Sequence, residues 1–137
     1  MGYVYTDLTL KNTKDVIFAR SGMIKDENIR QMTVQAMVDT GAGTLVINEA
    51  IQRELGLEIM GERPVTLADK TYKLCEFTEP VEIHWKNRST TVRAVILTGA
   101  EEVLLGAIPL EDMDLMVDPV RRELTGAHGD DIVCLVM

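Results

Sequence analysis

The stretch Ala36 to Ile47, "AMVDTGAGTLVI", carries a single carboxylate, Asp39, out of an apolar run and directly into Thr40, Gly41, Ala42 and Gly43. The residues before it alternate, so Met32, Val34, Ala36 and Val38 share one face of a strand in "RQMTVQAMVD", and Asp39 stands where that strand ends. Beyond the glycines, "TLVI" is apolar and extended, Asn48 is placed to cap a helix, and "EAIQREL" is that short helix, stopping at Gly56. An acid at the mouth of a buried strand calls for a reason. It is a turn residue, part of a phosphate-binding loop, or a catalytic group.

The rest of the chain favours an all-β domain, because short alternating runs recur between turn clusters. Val4, Thr6, Leu8 and Leu10 line one face of a first strand; "KNTKD" reads as a turn and "VIFAR" as a second strand. "VTLADKTYKLCEF" reads as a hairpin reversing across Ala68, Asp69 and Lys70, and "VEIHW" with "TTVRAVIL" as another around "KNRS". A strand in "EEVLLGA" ends at Gly106, a short helix follows in "PLEDMD", and late strands are expected in "LMVD", "RREL" and "DIVCLVM". Nothing in composition breaks the chain, so one domain spanning 1–137 is expected.

Charge and composition exclude several classes. With 14 Lys and Arg against 22 Asp and Glu the formal net charge is -8, which opposes a sequence-independent grip on nucleic acid or anionic lipid. No apolar run is long enough to span a bilayer, and "MGYVYTDLTL" alternates where a signal peptide would be basic and then apolar, so a cytoplasmic protein is expected. Gly2 and Thr6 fit the loose myristoylation pattern, but the same residues make a good strand. Cys75 and Cys134 form no CxxC or Cys/His cluster, so they read as reduced packing thiols, and no metal is expected. His84 and His128 have no nucleophile motif beside them, which argues against a triad.

The three readings of Asp39 can now be weighed. Asp before glycine is common in plain turns, where its side chain bonds nearby amides. "DTGAGT" is similar to the phosphate loop of actin-like ATPases and sugar kinases, but that architecture needs two lobes and a second glycine-rich loop, which this length does not accommodate. The third reading rests on more of the chain. "VDTGAGTLVI", the hairpin at "LADKT", "VLLGA", a short helix and "MVDPVRREL" follow one another from Val34 to Leu124, and in this order they resemble the retropepsin-like aspartic proteases.

That resemblance implies an acid-protease-like closed β-barrel with one or two short helices and a flap hairpin, hydrolysing peptide bonds without a cofactor. It implies Asp39 as the catalytic acid, Thr40 and Gly41 completing its loop, Leu104, Leu105 and Gly106 packed beside it, and Ala42 and Gly43 along the bound peptide. Ala68, Asp69, Lys70 and Thr71 would form the flap tip over an extended substrate. Two features depart from the viral pattern: the tip lacks its glycines, and Gly43 replaces an acid that grips substrate backbone.

The chemistry asks for two carboxylates, one to take a proton from water and one to polarise the carbonyl. Close carboxylates resist double ionisation, a general property for which the aspartic protease pair is the standard illustration. Yet Thr-Gly-Ala recurs only at Thr98 to Ala100 and Thr125 to Ala127, with Leu97 and Leu124 where the acid would stand. The second acid must therefore come from a second copy, and a homodimer is expected. The competing expectation is a non-catalytic dimer that keeps the fold and binds an extended peptide.

Overall fold

The computed structural model describes residues 3–67 and 69–131. Ala68 and the segment 132–137 lie outside them, and with them the expected late strand in "DIVCLVM", Cys134 and the first residue of the expected hairpin tip.

Six strands close on themselves. β1 (Val4–Asn12) pairs with β2 (Gln31–Val38); β7 (Val103–Leu105) lies between β2 and β3 (Leu45–Ile47); β3 continues to β6 (Arg88–Ile96) and β5 (Tyr72–Trp85), and β5 returns to β1. β4 (Ile59–Thr66) stands outside this ring and, among the described residues, pairs with β5 alone, while β8 (Leu115–Asp118) and β9 (Glu123–Gly126) make a separate ribbon. The expected all-β barrel is present, and the alternation read from the sequence explains it. On β1, Val4, Leu8 and Leu10 are buried; on β2, Gln31, Thr33 and Gln35 face outward and Ala36 is fully covered.

The core runs through the barrel from Leu8, Leu10 and Ala36 to Leu45, Ile47, Val81, Ile83 and Leu105, and continues under the helices with Leu55, Leu110 and Met113. Each large apolar side chain removed from water in this way contributes about 1.5–3 kcal/mol. Two polar groups at its edges are partnered: the Trp85 indole donates to the Thr6 hydroxyl at 2.8 Å, and the buried Asn12 amide donates to the Leu55 carbonyl at 2.9 Å.

Two local expectations are corrected. "VIFAR" is not a strand but the body of α1 (Thr13–Arg20), because the Asn12 side chain accepts the Asp15 amide and Asp15 places an acid in the first turn. "YKLCEF" and "VEIHW" are one strand, not two. β5 runs through Pro80 with a register shift between Phe77 and Pro80, where the Thr78 hydroxyl accepts the Ala94 amide at 3.1 Å and bridges the irregularity. With α1, the short helices α2 (Glu49–Glu54), capped by Asn48 as read, and α3 (Ala107–Asp112) are the described α-helices, beside a 3-10 turn at Asp26–Asn28.

Candidate active site

Asp39 follows the last residue of β2, and its position is set by the strand beside it: its amide donates to the Leu105 carbonyl at 3.0 Å. The chain then reverses. The Ala42 amide donates to the Asp39 carbonyl at 3.0 Å, and the Gly41 amide donates to Asp39 Oδ1 at 2.9 Å, fixing one carboxylate oxygen and leaving the other unclaimed among the described residues. A Cβ on Gly41 would sit 3.2 Å from that same oxygen, so glycine keeps the carboxylate uncrowded.

The underside of this loop rests on Gly106. Any Cβ there would collide with the Thr44 carbonyl and come within 2.6 Å of the Ala42 carbonyl, both of them backbone. Immediately beyond, the amides of Ala107 and Ile108 donate to the carbonyls of Ala42 and Gly43 at 2.8 and 3.1 Å. The Thr44 hydroxyl donates to the Arg93 carbonyl at 3.0 Å. Leu104, Leu105 and Gly106 thus lie beside the Asp39 loop. The reason is topological: β7 is parallel to β2 and antiparallel to β3, so its end arrives between the two arms of the turn.

Above the loop opens a cleft of about 760 Å³. Asp39, Gly41, Ala42 and Gly43 form its floor, Val95, Leu97, Leu104 and Ile108 contribute apolar walls, and Arg63 to Leu67 form the arm across it. Asp39 is the only carboxylate among the described residues that line it. Thr40 is exposed beside the floor.

The expected hairpin tip is placed differently from the expected floor. Asp69, Lys70 and Thr71 are exposed and do not line the cleft of the isolated subunit. The tip closes on itself: Asp69 Oδ1 accepts the Thr71 amide at 3.0 Å and the Thr71 hydroxyl at 2.5 Å, and Lys70 takes the left-handed conformation with φ 68°. The Thr71 hydroxyl, and then its amide, hold the Asp69 carboxyl below its ordinary value. The sequence reading missed the stretch Arg63 to Leu67, which reaches the cleft in its place. Alternation was the available signal, since Val65 and Leu67 are half-buried between the exposed Pro64 and Thr66, and Arg63, though exposed, shares their parity.

Other titratable groups lie apart from the cleft. His84 sits 2.6 Å from Glu82 and His128 2.8 Å from Asp114, neither on the lining. Among the described residues no group of His, Cys, Asp and Glu could hold a metal ion, and no helix is long and apolar enough to cross a membrane. Cys75, the one cysteine among the described residues, is buried.

Comparison with solved structures finds similarity to the crystal structure of a retropepsin-like aspartic protease from Rickettsia conorii, at 15% identity and a TM-score of 0.48, covering 86% of this chain and 90% of that one. No curated protein sequence matches. The family described as "gag-polyprotein putative aspartyl protease" matches residues 26–112, a span that holds the Asp39 loop, the hairpin arm and the Gly106 turn together. With more than half its length inside that match, the chain belongs to the retropepsin-like gag-polyprotein aspartyl protease family.

Proposed function

We propose that the protein is an aspartic endopeptidase whose catalytic pair is Asp39 of one subunit and Asp39 of the partner subunit. The observation that carries this reading is the cleft itself, with one carboxylate on its floor, apolar walls, and no second acid among its described lining residues. One ionised carboxylate removes a proton from water as its oxygen attacks the peptide carbonyl, and the protonated carboxylate gives its proton to the carbonyl oxygen. Collapse of the tetrahedral intermediate breaks the C–N bond, the amine leaves with a proton, and the pair regains its starting state. A two-fold axis between the two loops supplies both groups from one motif.

The named residues take roles consistent with their positions. The Gly41 amide fixes Asp39 Oδ1, and the exposed Thr40 hydroxyl is available to the second loop across the axis. Ala42 and Gly43 present backbone along an extended peptide, and the β4–β5 hairpin serves as the flap, with Ala68, Asp69, Lys70 and Thr71 at its tip. The closed Asp69–Thr71 turn is the feature that favours the rival, a peptide-binding dimer without turnover, since it gives the tip a fixed shape.

Cleavage of an unbiased peptide library, from mildly acidic to neutral pH, tests the reading beside Asp39→Asn. The expected result is a dimer in solution and a loss of cutting in the variant of about 1,000-fold or more. Adding an equal amount of the variant to the wild type should cut its activity to about half through random pairing of subunits. Activity that survives Asp39→Asn overturns the reading, and a folded wild-type dimer that binds peptides without cutting them gives the protein to the rival.

A further inference from the structure

Besides Asp39, the described lining of the cleft carries one charged residue, Arg63, and its surroundings set it apart from the other cations of the chain. Its guanidinium carbon stands 4.1 Å from the centroid of the Phe77 ring, and that of Arg93 stands 5.7 Å from the same centroid. Phe77 is itself held in place. It pairs across the hairpin with Gly61, where an added Cβ would approach Phe77 Cε1 to 3.0 Å, so the ring lies against bare backbone.

Two guanidinium groups on one ring concentrate positive charge, and among the described residues neither forms an ion pair. Other cations of the chain are also without an ion pair, but among the described residues Arg63 is the one that lines the cleft. The nearest acids along the hairpin, Glu62 and Glu76, are opposite one another in the register and fall on the other face by strand alternation. Stacking explains what remains open. A guanidinium resting on an aromatic ring uses its face, while its N–H donors lie in its plane and point outward at the edge. Those donors match a carboxylate, which they can engage in two parallel bonds.

We propose that Arg63, preorganised on Phe77 and reinforced by Arg93, is a specificity residue that reads an acidic side chain of an extended peptide lying in the cleft. The inference rests on the peptide-cleft reading above and adds a substrate class to it: sequences with Asp or Glu at one position beside an apolar stretch that occupies the walls. The overall charge of -8 does not oppose this, because at physiological ionic strength the screening length is about 8 Å and the two nearby guanidiniums dominate.

The test is a peptide library scored twice, by cutting with the wild type and by binding to Asp39→Asn protein, with Arg63→Met, Arg63→Glu and Phe77→Leu built in both backgrounds. Peptides with Glu at the selected position should outcompete their Gln counterparts by about fivefold. That preference should vanish in Arg63→Met, turn towards Lys and Arg in Arg63→Glu, and weaken in Phe77→Leu, which keeps the charge and removes its platform. Arg63 is exposed, so these outcomes do not depend on a folding defect. Cutting or binding that ignores acidic side chains, or a preference unchanged in Arg63→Met, overturns the inference while leaving the peptidase reading in place. Selective binding without cutting supports the inference and sinks the peptidase, and a chain that neither cuts nor binds sinks both.

Discussion

The barrel and the hairpin arm hold their polar groups in opposite ways. In the barrel, buried polar groups join parts of the chain far apart in sequence. Arg88, 2% exposed, sends Nη1 to the carbonyls of Met113 and Asp114 and Nη2 to those of Gly129 and Asp130, at 2.7 to 3.0 Å. Asp15 accepts the Arg30 backbone amide, Nε and Nη2. In the arm, among the described residues, β4 pairs with β5, and the tip bonds run within Leu67, Asp69, Lys70 and Thr71. The barrel is therefore expected to resist local opening, since each tie couples distant segments, and the arm, with fewer such ties among the described residues, is expected to open more readily.

Arg88 gives the sharpest way to break that contrast. Arg88→Met keeps an apolar stem but leaves four carbonyls without their shared donor, and the expected loss is about 4 kcal/mol in a denaturant titration. Limited proteolysis should then cut first near Gly129 and Asp130, which Arg88 ties to the end of α3. An unchanged midpoint would mean that the barrel is not held by these long-range ties.

The floor comes next. Gly106→Ala should cost about 3 kcal/mol, because its Cβ meets the backbone of Thr44 and Ala42, which cannot move without shifting Asp39. Gly43→Ala is the matched control in the same loop: nothing lies within 4 Å of its added Cβ, and stability should not change measurably. Equal effects from the two substitutions would show that loop flexibility, and not the close approach at Gly106, sets the cost.

The floor was legible in the sequence for the same reason that it is rigid. A strand ending in Asp39, glycine at 41 and glycine after two leucines at 106 are demands of backbone geometry, and such demands show as residue types at fixed spacing. α1 was not legible, because "VIFAR" is apolar enough for a strand, and only the cap at Asn12 with Asp15 three residues on decides for a helix. Arg88 sits in "KNRS", which reads as the reversal of a hairpin, and its burial depends on carbonyls from segments 25 to 42 residues away. Arg63 was hidden likewise, since its stacking on Phe77 exists only once the hairpin register is set.

Asp15 should give an intermediate effect with a pH signature. The Arg30 side-chain bonds are the largest cause that holds its carboxyl below the ordinary 3.8, against the opposing effect of burial. A depressed folded value stabilises the native state above the unfolded value of 3.8, and that contribution is lost as the pH falls through the lower folded value. Because the Arg30 side chain is 45% exposed, the expected cost of Asp15→Asn at neutral pH is modest, about 1.5 kcal/mol. The wild type and the variant should converge once the pH has fallen through that lower folded value. A gap that persists there would assign the loss to the packing and hydrogen bonds of the side chain with Arg30 instead of to its charge.

The smallest effect belongs to the arm, and it is the one that separates the two regions most cleanly. Asp69 is fully exposed and bonds only Thr71, two residues on, so Asp69→Ala removes the turn's internal tie without touching the barrel. The denaturation midpoint should stay where it is, while hydrogen exchange at the Thr71 amide accelerates. Wild-type protein should lose protection at that amide, relative to its intrinsic exchange rate, in acid: Thr71 holds the Asp69 carboxyl below 3.8, so the turn persists above that value and loosens as the pH drops through the folded one. If the midpoint moved with the exchange rate, the arm would be part of the barrel's cooperative unit, and a hairpin so coupled could not lift from the cleft without partly unfolding the floor beneath it.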